Sequence, residues 1–267
     1  MAVVSELNNV SKGLVPLSYK QRQKHNIKKF KALEALDVPI SEFGTRRRAF
    51  RQIQYEALYQ MKQFMPTCLI GTSNIQFGRI LDLPLKGTIA HELYMIYAAL
   101  YGVESANQMI TEEWWNVFGE NISIVLPDTF TSKFFLKTFN KEAAKKIKGS
   151  RQDSMDPKEY TTLFTNFYKN LGIDSKTKNI VFSDNLNSIE KIKDIKEFAR
   201  PLINDSYGIG TWITNDCGTE KMNMVIKLTA LWIEGRKIHT AKLSDVLGKV
   251  TTTNQNTVDN YLNLIKK

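Results

Sequence analysis

Short apolar runs alternate with helix-length amphipathic stretches along most of this 267-residue chain, and that alternation constrains its fold more than any other feature. Strand-length runs separated by helices form a mostly parallel sheet with helices packed outside it. The pattern predicts strands at 2–6, 40–43, 67–70, 87–90, 122–127, 149–153, 180–183 and 206–209. It predicts helices at 48–63, 92–100, 106–118, 132–146, 157–171 and 188–198, the last capped by the Ser188 hydroxyl. After Asp216 the texture changes. Runs 224–232 and 237–244 read as a hairpin turning across Glu234-Gly235, and 257–267 reads as a short helix.

Composition adds what the pattern leaves open. Hydrophobic residues make up 42% and charged residues 24%, so the chain can bury a sizeable core and disorder is not indicated. No run of about 18 apolar residues suggests a membrane span, and residues 1–6 lack a signal-peptide layout, so a cytoplasmic protein is expected. Cys68 and Cys217 lie far apart without metal-type spacing and read as reduced, structural thiols.

The net charge of +10 calls for an anionic partner. Much of the excess falls on Lys20, Arg22, Lys24, Lys28, Lys29 and Lys31, which share a helical stretch with Ile27, Phe30 and Leu33. That layout reads as an amphipathic helix with a solvated basic face. Aromatic residues do not interleave with the basic run, which argues against nucleic acid as the partner.

The polar residues at the predicted strand ends carry the functional reading, because ligands of parallel α/β sheets gather beyond the carboxyl ends of the strands. Phe43-Gly44-Thr45-Arg46-Arg47-Arg48 could hold a flat anionic ring by stacking and paired hydrogen bonds, or be surface charge. Gly71-Thr72-Ser73-Asn74 offers helix-start donors. Gly87-Thr88-Ile89-Ala90-His91-Glu92 places a histidine at a strand end, as nucleophile, proton carrier or satisfied core residue. His25 and His239 read as structural or solvent-facing.

Arg151-Gln152-Asp153-Ser154-Met155-Asp156-Pro157 joins a fixed cation to two carboxylates, a mixture suited to a sugar diphosphate and its magnesium; Asp156 and Pro157 also suit a helix start. Ser183-Asp184-Asn185 offers either a ribose or metal contact or a cap. Tyr207-Gly208-Ile209-Gly210-Thr211 sets two glycines where backbone N–H groups can approach an anion without a Cβ in the way.

These motifs, together with Lys242-Leu243-Ser244-Asp245, resemble in their order and spacing the nicotinate phosphoribosyltransferases. The resemblance implies an irregular phosphoribosyltransferase-type α/β barrel, incomplete here, spanning 1–215, and a remnant of a second, discontinuous α/β domain at 216–267. It implies transfer from phosphoribosyl pyrophosphate to nicotinate with coupled ATP hydrolysis and Mg2+, feeding NAD salvage.

By the same resemblance His91 is transiently phosphorylated, and Phe43 and Arg46 hold the pyridine ring and its carboxylate. Arg151 and Asp153 serve ring and ribose, Ser183 and Asp184 face the ribose and phosphate, and Gly208, Gly210 and Thr211 bind the 5′-phosphate. Ser73 stands where nicotinamide-preferring relatives carry an aspartate, and an uncharged hydroxyl suits a carboxylate substrate.

Two departures follow. Met155 replaces a glycine usual in the family, so strain is expected there if the backbone has positive φ. Met1 aligns within a barrel strand, so the family's N-terminal domain is expected to be missing. The implied partners are a second copy, as in a homodimer, or a complementary N-terminal chain. A non-catalytic fragment is the alternative reading.

Overall fold

Residues 1–222, 225–246 and 249–266 are described by the computed structural model. The alternation becomes, in chain order, α1 (Ala2–Ser11), α2 (Tyr19–Ala35), β1 (Ile40–Glu42), α3 (Arg51–Phe64), β2 (Leu69–Thr72), α4 (Ile75–Leu81), α5 (His91–Tyr101), α6 (Val103–Phe118) and β3 (Ile124–Val125). There follow α7 (Ser132–Thr138), α8 (Lys141–Lys146), β4 (Gly149–Gln152), α9 (Pro157–Asn170), β5 (Asn179–Phe182), α10 (Ile189–Ala199), β6 (Asn204–Ile209) and α11 (Thr211–Thr214). The antiparallel hairpin β7 (Ala230–Ile233) and β8 (Arg236–His239), then α12 (Gln255–Lys266), complete the described order.

The main sheet has six strands in the order β2-β1-β6-β5-β4-β3, and β1 pairs in parallel with both β2 and β6, as β3 does with β4. Strands buried on both faces favour apolar side chains. Ile180 and Phe182 of β5, and Tyr207 and Ile209 of β6, are accordingly buried.

The chain divides into two compact units. Unit 1 comprises Met1–Gly87, Val181–Pro201 and Asp205–Val225; unit 2 comprises Thr88–Ile180, Leu202–Asn204 and Ile226–Lys267. In unit 1 the basic stretch is helical, capped by a reciprocal Ser18–Gln21 pair, and buries Phe30 and Leu33. In unit 2, Asp156 Oδ1 accepts from the amides of Lys158 and Glu159, and Pro157 opens α9, where its missing N–H costs nothing.

The sequence expectations fail at three places. Residues 2–6 are helical, the β-branched pair Val3-Val4 being overridden by Ser5 and Asn9, one helical turn apart. Ser5 Oγ donates to Arg48 O at 3.2 Å, and Asn9 Nδ2 to Ala49 O at 3.0 Å, so the polar stripe faces inward. Residues 87–90 form no strand and run directly into α5. Residues 132–146 make two helices, because Asn140 leaves the helical conformation and its side chain caps α8.

The hairpin turns across Glu234 and Gly235 as expected. Both have positive φ (49° and 77°), the conformation a two-residue turn between twisted strands requires. Its strands are shorter than the predicted runs, and Met224, like Lys267 of the predicted last helix, lies outside the described residues. Cys68 and Cys217 are free and buried. Among the described residues, no helix is long and apolar enough to cross a membrane.

Candidate active site

Unit 2 carries a buried polar cluster built from the ends of β3 and β4, the start of α5 and the 240s segment. His91 opens α5 with Nδ1 3.0 Å from Thr129 Oγ1 and Nε2 3.1 Å from Asp153 Oδ2. Asp153 accepts from Arg151 Nη2 at 2.7 Å, and Arg151 Nη1 donates to Thr88 Oγ1 at 3.2 Å. Histidine, carboxylate and guanidinium thus stand in one hydrogen-bonded line, which holds the imidazole in one orientation.

Behind that line lies a second carboxylate. Asp128, only 1% exposed, accepts at Oδ2 from Lys242 Nζ (2.9 Å) and Ser154 Oγ (2.8 Å). Its Oδ1 stands 3.7 Å from His91 Nε2 and has no hydrogen-bond partner in the structure. Asp245 receives the amide and hydroxyl of Ser132, both at 2.7 Å. Thr131 and Ser244 beside it hold φ of 76° and 66°, a conformation that costs about 1–3 kcal/mol in a non-glycine residue and clusters at functional sites. A cleft of about 270 Å³ is lined by Thr131, Lys133, Met155, Asp156, Glu159, Asp245 and Val246. Met155 is buried and is not among the residues with positive φ, so no backbone strain attends its side chain.

Burial lowers the pKa of His91 against the opposing pull of Asp153. Burial works the other way on Asp153, yet Arg151 and His91 outweigh it and hold that carboxyl well below the usual range. In both cases the unfolded chain binds the proton more readily than the folded one, so acid destabilises the fold. Stability is expected to fall as pH drops below the ordinary histidine value of 6.5, and again below that of an aspartate, about 4. Unfolding midpoints measured from pH 2 to 8 check this. His91→Gln should flatten the limb between pH 7 and 5, and an unchanged slope would assign that limb to other groups.

His91, Asp128 and Asp153 each offer a ligand atom, all within 4.8 Å of one another. The two carboxylates, one with an unpartnered buried oxygen, fit magnesium, which binds through one or two carboxylates, waters and substrate phosphates. The imidazole does not suit that oxygen-seeking ion.

Unit 1 holds the other predicted residues. Phe43 N donates to Ile209 O at 2.8 Å, so the loop after β1 lies along the end of β6. A Cβ on Gly208 would stand 2.5 Å from Phe43 Cδ2, and one on Gly210 would stand 3.2 Å from Phe43 O. The absent side chains admit the aromatic residue. Gly208→Ala is expected to cost about 1–3 kcal/mol by overpacking, read from urea denaturation; an unchanged midpoint would show that the ring turns aside freely. Arg46 and Ser73 are exposed on the loops after β1 and β2; Ser183, Asp184, Gly210 and Thr211 are partly exposed beyond β5 and β6.

The structure therefore brings His91, Arg151 and Asp153 into direct contact, and Phe43 against Gly208. Asp128 and Thr129 also follow a strand end, as the other polar clusters do, but form no motif that marks them in the sequence.

The sequence profile of the Nicotinate phosphoribosyltransferase (NAPRTase) family matches residues 38–264. The chain belongs to the nicotinate phosphoribosyltransferase family. It is 41% identical over 254 residues to the nicotinate phosphoribosyltransferase of Desulforapulum autotrophicum, covering 94% of this chain and 65% of that protein. Against the Chromohalobacter salexigens nicotinate phosphoribosyltransferase it is 38% identical over 224 residues, covering 84% of this chain and 57% of its relative.

Among solved structures, the Porphyromonas gingivalis nicotinate phosphoribosyltransferase superposes with a TM-score of 0.95 at 32% identity, covering all of this chain and 69% of that one. The chain thus spans less than two thirds of the length of these two curated family relatives, while the α/β fold expected from sequence is the family's own.

Proposed function

We propose that this chain supplies catalytic residues for joining nicotinate to phosphoribosyl pyrophosphate, giving nicotinate mononucleotide and pyrophosphate with coupled ATP hydrolysis, in NAD salvage. The observation that carries the reading is the hydrogen-bonded His91–Asp153–Arg151 line, anchored on a buried histidine, in a chain of this family. His91 would take the terminal phosphoryl group of ATP onto a ring nitrogen, leaving ADP. A histidine oriented by a carboxylate is an activated nucleophile.

In unit 1, Phe43 would stack on the pyridine ring while Arg46 and Ser73 receive its carboxylate. Ser183 and Asp184 would hold the ribose, with Gly208, Gly210 and Thr211 at the 5′-phosphate. The ring nitrogen attacks with its own lone pair, so the residues needed are anion holders more than a strong base. Asp128 and Asp153 would hold magnesium, which neutralises phosphate charge when bound.

The same proposal places the protein in the cytoplasm, away from nucleic acid, as a homodimer or with a complementary N-terminal chain. In the assembled protein, 1–215 would be the barrel portion and 216–267 part of a second domain.

Nicotinate-dependent release of pyrophosphate, assayed with the chain alone and with the N-terminal third of a relative added, tests the reading. Turnover abolished by His91→Ala supports it, and no turnover in either arm overturns it. The relatives' additional length favours a second reading, in which the chain contributes only after association. Turnover confined to the mixture, with copurification, separates the two.

A further inference from the structure

Glu42, the last residue of β1, is completely buried. Burial pushes its carboxyl pKa up, and its neighbours pull the other way. Each hydrogen-bond partner offers a proton. The Gly44 amide donates to Oε1, Gln54 Nε2 reaches both oxygens at 3.1 Å, and the Thr72 hydroxyl donates to Oε2 at 2.6 Å. Such a shell fits the ionised carboxylate, since protonation would set donor against donor.

These donors come from three places in the fold, Gln54 lying on α3. Gly44 lies in the turn after β1, between Phe43 and Arg46, and Thr72 ends β2 immediately before Ser73. The network closes further: Thr72 Oγ1 accepts from Asn74 N at 3.0 Å, Asn74 Nδ2 donates to Thr45 Oγ1 at 3.1 Å, and Gln54 Nε2 donates to the same hydroxyl at 2.7 Å. Ser73 N also donates to the backbone carbonyl of Glu42 at 2.9 Å. One buried carboxylate therefore fixes the turn after β1 against the turn after β2.

We infer that Glu42 is a positioning residue for nicotinate: its buried carboxylate sets the spacing between the Phe43–Arg46 turn and Ser73, and so the fit of a flat carboxylate ring. This rests on the functional reading above. A residue that only supports the fold would, when altered, lower stability and leave substrate affinity in the surviving molecules unchanged. A residue that sets loop spacing moves the nicotinate KM more than kcat, because the ring and carboxylate contacts it spaces are made alike in the ground and transition states.

The test uses Glu42→Gln, close in size, in which one accepting oxygen becomes a donating NH2. With the arm of the pyrophosphate-release assay that turns over, the nicotinate KM is expected to rise about tenfold while kcat changes by less than about threefold and the phosphoribosyl pyrophosphate KM moves little. Thr72→Val should shift the nicotinate KM more than Thr72→Ser, which restores the hydroxyl. Amide hydrogen exchange, which needs no activity, should quicken together at Gly44–Arg47 and Ser73–Asn74 in Glu42→Gln. Unchanged nicotinate KM, or quickened exchange in only one of the two turns, overturns the inference. No wild-type turnover with coupled exchange in both turns removes the substrate and keeps the loop coupling.

Discussion

His91→Ala is expected to lower nicotinate-dependent turnover by about 100- to 10,000-fold, the range over which a positioned acid, base or nucleophile contributes. The imidazole lies within hydrogen-bond reach of Thr129 and Asp153, and no other histidine in the described cluster could replace it. The readout has two parts. Initial rates should collapse, and radiolabel from the terminal phosphate of ATP, retained by the wild type in an acid-labile, base-stable form, should be absent from the variant. His25→Gln is the matched control, because His25 is half-exposed and pairs with Asp216 in the other unit. Label surviving in His91→Ala would move the phosphoryl acceptor elsewhere.

Lys242→Met should be the most destabilising single change in unit 2. It leaves Asp128 buried with one donor fewer and no cation in contact, and breaking one side of a buried pair costs about 3–5 kcal/mol. In a chain of this size each kcal/mol moves the unfolding midpoint by about 2–4 °C. A fall of roughly 6–20 °C is therefore expected by differential scanning calorimetry. Asp128→Asn in the same chain should recover most of it, because the remaining amide needs no counter-charge. A double variant as unstable as Lys242→Met would show that the methionine packs badly and that the lost charge matters little.

Much of this was legible from sequence where local and long-range forces agree. The strand that became β5 carries the apolar run Ile180-Val181-Phe182 and leads into Ser183-Asp184, and the predicted hairpin turn carries a glycine at a position with positive φ. Residues 2–6 misled because β-branched side chains suggest extended backbone, whereas the conformation is settled by two polar side chains reaching carbonyls some 40 residues away. No local pattern announces such bonds.

His91, Arg151 and Asp153 were visible as strand-end polar residues, and the structure joins them. Asp128 does not stand out in the sequence because its significance comes from Lys242, 114 residues further along, and Glu42 does not because an acid at a strand's last position looks like a surface residue. Burial is a tertiary property, and in both cases it converts an ordinary carboxylate into an organising centre.

Both cysteines of the chain, Cys68 and Cys217, are buried in unit 1, and unit 2 contains none. A thiol shut away from solvent cannot meet an alkylating reagent until the structure around it opens. The chain thus carries its own clock for one half of itself: the pace of alkylation times excursions of the unit holding the glycine segment, and ticks for the unit holding His91 only when both come apart together.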